Sequence, residues 1–152
     1  MFQSVFYVRL FTIFLSLYLI AGDDTTFKYY VSVDEANFFQ AFINCQEGGA
    51  DLAHVTTPEE ADVLNETLFN YPRYDKEELF WLSGTNLPDT TSSDYYWFTG
   101  GSLANFTLWL PGNPTNVYEH CMTWVITKYN ESGWVDYPCE YRLKYICQEP
   151  DV

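Results

Sequence analysis

The stretch WFTGGSLANFTLWLPGNP, Trp97 to Pro114, decides how the rest of the chain is read. It is rich in aromatic residues but keeps no strand-like alternation, and Gly100, Gly101, Pro111, Gly112 and Pro114 punctuate it. With its flanks, from about Asn86 to His120, it carries little strand signal apart from YYWF at Tyr95–Phe98. A loop this long within a compact domain is usually functional. The segment continues as TNVYEHC, Thr115 to Cys121. Asn113 and Thr115 flank Pro114, and Glu119 stands shortly before Cys121, so oxygen-bearing side chains cluster at the loop's exit.

On either side of this loop lie short aromatic and β-branched runs separated by Gly, Pro, Asn and Ser: LFWLSG and YYWFTG before it, and CMTWVIT, GWVDYPC and LKYICQ after it. These read as short strands. Upstream of Tyr71-Pro72 the periodicity is helical. Ser32-Val33-Asp34-Glu35 reads as a capping box, and Ala36, Phe39 and Ile43 then predict a helix running to about Cys45. Gly48-Gly49 ends it. Thr57-Pro58-Glu59-Glu60 is a second capping box with proline at the first helical position, and Ala61, Leu64 and Leu68 form its buried stripe. Two helices followed by an antiparallel sheet make an α+β domain.

At 152 residues the chain is long enough for one domain. Arg9 followed by LFTIFLSLYLIAG, with small Ala21 and Gly22 at its end, reads as a signal peptide over residues 1–22, which leaves a domain at 23–152. A bilayer span needs roughly 20 apolar residues and Arg9 interrupts this run, so cleavage leaves no membrane anchor. The net charge of −14 becomes one unit more negative when Arg9 is lost. Such a field repels phosphate backbones and anionic lipid, which argues against nucleic acid and charged membranes as partners.

Four cysteines in a short secreted chain predict two disulfides and an extracellular location, with the pairing left open by the sequence. Sequons at Asn65, Asn105 and Asn130 agree with passage through the secretory pathway. Enzymatic chemistry finds little support. His54 and His120 lack a convincing nucleophile nearby, the cysteines are taken up structurally, and no phosphate-cradling loop or zinc spacing occurs.

Taken in order, YYVSVDEANFFQAFINCQEGGADLAHV, FWLSG, WFTGGSLANFTLWLPGNP, EHC, WVDYPC and LKYICQ resemble the C-type lectin-like domain in its short, four-cysteine secreted form. The resemblance covers essentially all of residues 23–152. It implies pairing of Cys45 with Cys147 and of Cys121 with Cys139. It also raises the expectation of a cis bond at Pro114.

In the sugar-binding members of that family, side chains flanking a loop proline, a glutamate before a cysteine-bearing strand, and an Asn-Asp pair after a tryptophan bind calcium and sugar together. The matching positions are Asn113 and Thr115, Glu119, and Val135-Asp136. Asn113, Glu119 and Asp136 are therefore the implied calcium ligands. The implied sugar contacts are the same three with Thr115 and Asn116, the latter a stand-in should the short loop shift the register. Thr115 offers only a hydroxyl and Val135 no side-chain oxygen, so calcium affinity is expected near or beyond the weak, millimolar end. His120 replaces a carboxylate that some relatives use for a second calcium.

Family members with Glu-Pro-Asn take mannose-like ligands and those with Gln-Pro-Asp take galactose; Asn113-Pro114-Thr115 is neither. Each residue also has a structural reading. Asn113 and Thr115 suit a turn, Glu119 a solvated acid, Asp136 a backbone cap, and Trp109 and Trp134 a core or a sugar-stacking surface. The resemblance implies a lectin that binds glycans or glycoproteins, with weakened calcium dependence. The competing expectation is a calcium-independent module that binds a protein through Tyr118, Tyr137 and the acidic loops. One such domain binds one sugar weakly, so avidity would call for self-association or multivalent targets.

Overall fold

The computed structural model describes residues 28–72 and 77–150; the expected signal peptide lies outside them. Strand β1 (Tyr29–Val31) enters the domain and is followed by helix α1 (Phe38–Glu47), strand β2 (Asp51–Leu52) and helix α2 (Pro58–Phe69). Strands β3 (Glu78–Thr85), β4 (Tyr96–Trp97), β5 (Cys121–Ile126), β6 (Ser132–Tyr137) and β7 (Lys144–Gln148) complete it. The sheet runs β1-β7-β3-β5-β6, with β2 added to β7 and β4 to β3.

Helix α2 starts where its sequence says it should. Thr57 Oγ1 accepts from the Glu60 amide, the Glu60 carboxylate accepts from the Thr57 amide, and Pro58 occupies the first turn. Ala61, Leu64 and Leu68 are buried as expected. Helix α1 departs from expectation. It begins at Phe38 with Asn37 as its cap, the Asn37 side chain accepting from the Gln40 amide at 2.9 Å. Ser32 is drawn elsewhere: its hydroxyl donates to the Asp34 carbonyl and accepts from the Tyr145 amide. The backbone amides of Ser32 and Ala36 donate to the carbonyls of Tyr145 and Leu143. Bonding at Ser32 and Ala36 thus keeps residues 32–36 out of the helix, and the buried stripe moves to Phe38, Ala41 and Cys45. Phe39 and Ile43 are left about half exposed.

A second difference concerns the sheet. β3 pairs parallel with β7 through Phe80–Lys144 and Trp81–Tyr145, although every other pairing between these strands is antiparallel. The sheet is therefore mixed, and the strand that closes the chain inserts between β1 and β3. Buried side chains separate into two clusters. The larger joins Leu64 and Leu68 of α2 to Phe80, Trp97, Trp124 and Trp134. The smaller gathers Phe38, Cys45, Trp81 and Cys121 beneath α1. Cys45 is bonded to Cys147, and Cys121 to Cys139.

The long loop is laid against the sheet along β6. The Trp134 amide donates to the Leu108 carbonyl at 2.8 Å, and the Leu110 amide donates to the Trp134 carbonyl at 2.9 Å. Gly133 permits this approach, since a Cβ there would lie 2.7 Å from both the Leu108 carbonyl oxygen and the Leu110 side chain. Gly133→Ala is expected to cost about 2–3 kcal/mol through overpacking. Urea denaturation of the variant checks this, and an unchanged midpoint would contradict the close approach.

Candidate functional site

β6 delivers the central carboxylate. Asp136 lies opposite Met122 of β5 and is only 2% exposed. A carboxylate so enclosed needs donors, and the loop supplies them. Its Oδ2 accepts from the backbone amides of Thr115 at 2.7 Å and Asn116 at 2.9 Å, and lies 3.1 Å from the Thr115 hydroxyl. Asn116 has φ 56°, a left-handed conformation that asparagine tolerates well. Two successive amides turned toward one point form a concave seat for an anion, filled here by Asp136. The preceding Asn113–Pro114 bond is cis.

Glu119 closes the group from the other side, its Oε2 bonded to the Thr115 hydroxyl. That hydroxyl has one proton and two carboxylate neighbours, so it serves one of them at a time. Thr115, weak as a metal ligand, is the link between the two acids. Asn113 stays apart from this group, with its own amide groups directed at the Leu110 carbonyl.

Behind the loop stands a polar layer that adds Thr85, Asn86 and Tyr95 to Asn116 and His120. The Asn116 carbonyl oxygen Oδ1 accepts from Asn86 Nδ2 at 3.0 Å and from the Tyr95 hydroxyl at 3.2 Å. His120 Nδ1 lies 2.9 Å from Asn86 Oδ1, and the Thr85 hydroxyl donates to the His120 carbonyl. Asn86 is fully buried. Burial, and after it the negative charges of Asp136 and Glu119, push the Tyr95 phenol far above its ordinary range, so it remains a neutral donor. No local sequence signal announces Asn86 or Tyr95, because their partners lie about 20 to 30 residues away along the chain.

Calcium takes about six to eight oxygens. Here Val135 supplies no side-chain oxygen, Asp136 Oδ2 is occupied by its donors, and Asn116 Oδ1 by two more. The Glu119 carboxylate, the Asn113 carbonyl and the buried Asp136 Oδ1, which has no hydrogen-bond partner, are what remains. Among the described residues no three His, Cys, Asp or Glu side chains converge as a metal cluster. This arrangement leaves too few free side-chain oxygens for a tight calcium site; backbone amides hold the carboxylate that a cation would otherwise share.

The surrounding aromatics divide clearly. Trp134 is fully buried and packs edge-on against Trp97, Phe106 and Trp109. Trp109 is half-buried and meets Tyr95 at 4.8 Å. Tyr118 is 82% exposed beside the site. Tyr137, expected at the surface, is half-buried instead, because its ring packs against Trp81 and Tyr141.

Two helices on a mixed sheet, two disulfides and a long loop fixed to the last hairpin define a disulfide-stapled, loop-presenting α+β domain. Residues 34–149 match the family model for the lectin C-type domain, and the chain belongs to the C-type lectin-like domain family. It is similar to C-type lectin 37Db of Drosophila melanogaster, at 30% identity over 80% of this chain and 76% of that protein. Among solved structures it is similar to the carbohydrate-recognition domain of the mouse scavenger receptor C-type lectin. That likeness has 22% identity and a TM-score of 0.68, and covers 84% of this chain and 93% of that one. It is also similar to a calcium-independent type II antifreeze protein, with 20% identity, a TM-score of 0.66, and 83% and 88% coverage. The family match supports lectin-like carbohydrate binding in general terms; its domains often bind calcium and are generally binding proteins rather than enzymes.

Proposed function

We propose that the chain is a secreted carbohydrate-binding domain, cleaved after its first 22 residues, that recognises glycans non-covalently at the long-loop edge with weak calcium dependence. The observation that carries this reading is the seat around Asp136. It holds Thr115 and Asn116 by their backbone, and so keeps the loop ordered with little or no contribution from metal. Glu119, Asn113 and the Thr115 hydroxyl then offer acceptors and donors at the loop's edge, suited to hydroxyl pairs of a sugar. The match to the lectin C-type domain and the fly lectin support carbohydrate as the ligand class.

Calcium titration by calorimetry, with a glycan array run in calcium and in chelator, tests the proposal. A dissociation constant of about 1 mM or weaker is expected. At about 2 mM calcium such a site stabilises the fold by less than about 0.7 kcal/mol. Glycan signals should survive chelator in part and fall with Glu119→Ala. Tight calcium binding with complete loss of signal in chelator would contradict it. Absence of glycan signal in both conditions would favour a protein-binding module, which the exposed Val117-Tyr118 pair suits.

A further inference from the structure

We propose that a cavity of about 230 Å³ between α2 and the segment 106–108 seats the first N-acetylglucosamine of a glycan carried on Asn65. This seat requires the passage through the secretory pathway proposed above. Asn65 itself lines the cavity, with Ala61 and Asp62 one helical turn before it on the same face of α2. Phe106 and Leu108 form the opposite wall and Ser132 the rim. The cavity is smaller than the roughly 300–1,000 Å³ typical of drug-sized ligands, which suits one sugar ring.

The three sequons converge here although they are far apart in sequence. Asn65 contributes directly, Phe106 is the middle residue of Asn105-Phe106-Thr107, and Ser132 is the last of Asn130-Glu131-Ser132. All three acceptor asparagines are exposed. The wall chemistry matches the sugar. A pyranose ring presents C–H groups on its face, suited to Phe106 and Leu108, and polar groups on its edge, suited to Asp62 and Ser132. Asn65 needs no free ligand to fill the space, because a sugar bonded to its own amide is already at the mouth. Asn130 differs: it lies in the exposed turn between β5 and β6, is not itself among the residues lining the cavity, and provides an internal comparison.

The test is secretion of the full chain from a glycosylating host, followed by site-resolved mass spectrometry. An endoglycosidase that cuts within the glycan core is then applied to folded and to denatured protein. Asn65 should be occupied, and in the folded protein its glycan should be cut about tenfold more slowly than that on Asn130, the difference vanishing on denaturation. Phe106→Ala should abolish the protection. Asp62→Arg, an exposed substitution that crowds the mouth without touching the core, should do so in a protein that remains folded. Equal cutting at Asn65 and Asn130 in folded protein overturns the seat, as does an unmodified Asn65 beside a modified Asn130. Secretion without modification at any sequon also overturns the seat and leaves the carbohydrate-binding reading standing; failure to be secreted at all removes the secretory reading with it.

Discussion

Replacing Cys45 and Cys147 together by alanine is expected to lower stability by about 4–5 kcal/mol, the largest loss available from any one tie in the molecule. The bond joins residues 102 apart, and in the chain-entropy model a long closed loop removes most freedom from the unfolded chain. Domains of this size are stable by about 5–15 kcal/mol in all, so the variant should unfold at modest urea or warmth. Removing Cys121 and Cys139 instead, only 18 residues apart, should cost about 3 kcal/mol. Urea titrations of the two double variants without reductant provide the comparison. A reversed order would show that local strain relief or packing, and not loop closure, governs these bonds.

Asp136→Ala is the second large effect, an expected loss of about 2–4 kcal/mol together with glycan binding. Two part-buried backbone amides lose their acceptor at once, and a buried donor left without one costs about 1–3 kcal/mol, while the Thr115 hydroxyl keeps Glu119. Partial hydration of the loop keeps the total below the sum. Asp136→Asn retains one carbonyl oxygen in the same place and should lose about 1 kcal/mol, because a neutral acceptor binds amides less strongly than a carboxylate. Denaturation midpoints with hydrogen exchange at Thr115 and Asn116 separate the two variants. Equal, small effects would mean that the loop is held by other contacts and that Asp136 is incidental.

Much of the architecture was legible because it is written locally. Thr57, Pro58 and Glu60 stand within one helical turn of one another, and their hydrogen bonds form without reference to the rest of the fold. Ser32 departs from its local pattern for the opposite reason: an equally good local cap is overruled by β7, whose partner atoms lie over 110 residues away. The parallel β3–β7 pairing has no local signature for the same cause, since strand direction is set by the path of the chain and not by side-chain alternation.

The candidate site was legible in its membership and not in its wiring. Thr115, Glu119 and Asp136 are residue types that meet metals and sugars, and the structure draws them into one hydrogen-bonded group. That Asp136 is held by the amides of Thr115 and Asn116 depends on backbone torsions at Asn116, which an asparagine permits but does not dictate. The cradle of Asn86, Tyr95 and His120 depends on register between distant segments.

The juxtaposition of β1 and β7 has a mechanical meaning. Tyr29 faces Gln148 and Val31 faces Ile146, so a force applied to residues 28 and 150 would peel this pair apart one rung at a time. The peeling stops at a covalent barrier. Everything between Cys45 and Cys147 is closed into a ring and bears the load through sulfur, so tension can lengthen only the short segments outside it. The long loop, Asp136 and Glu119 lie inside that ring. A tether pulling on the two ends would stretch its own attachments before the surface presented to a ligand was dismantled.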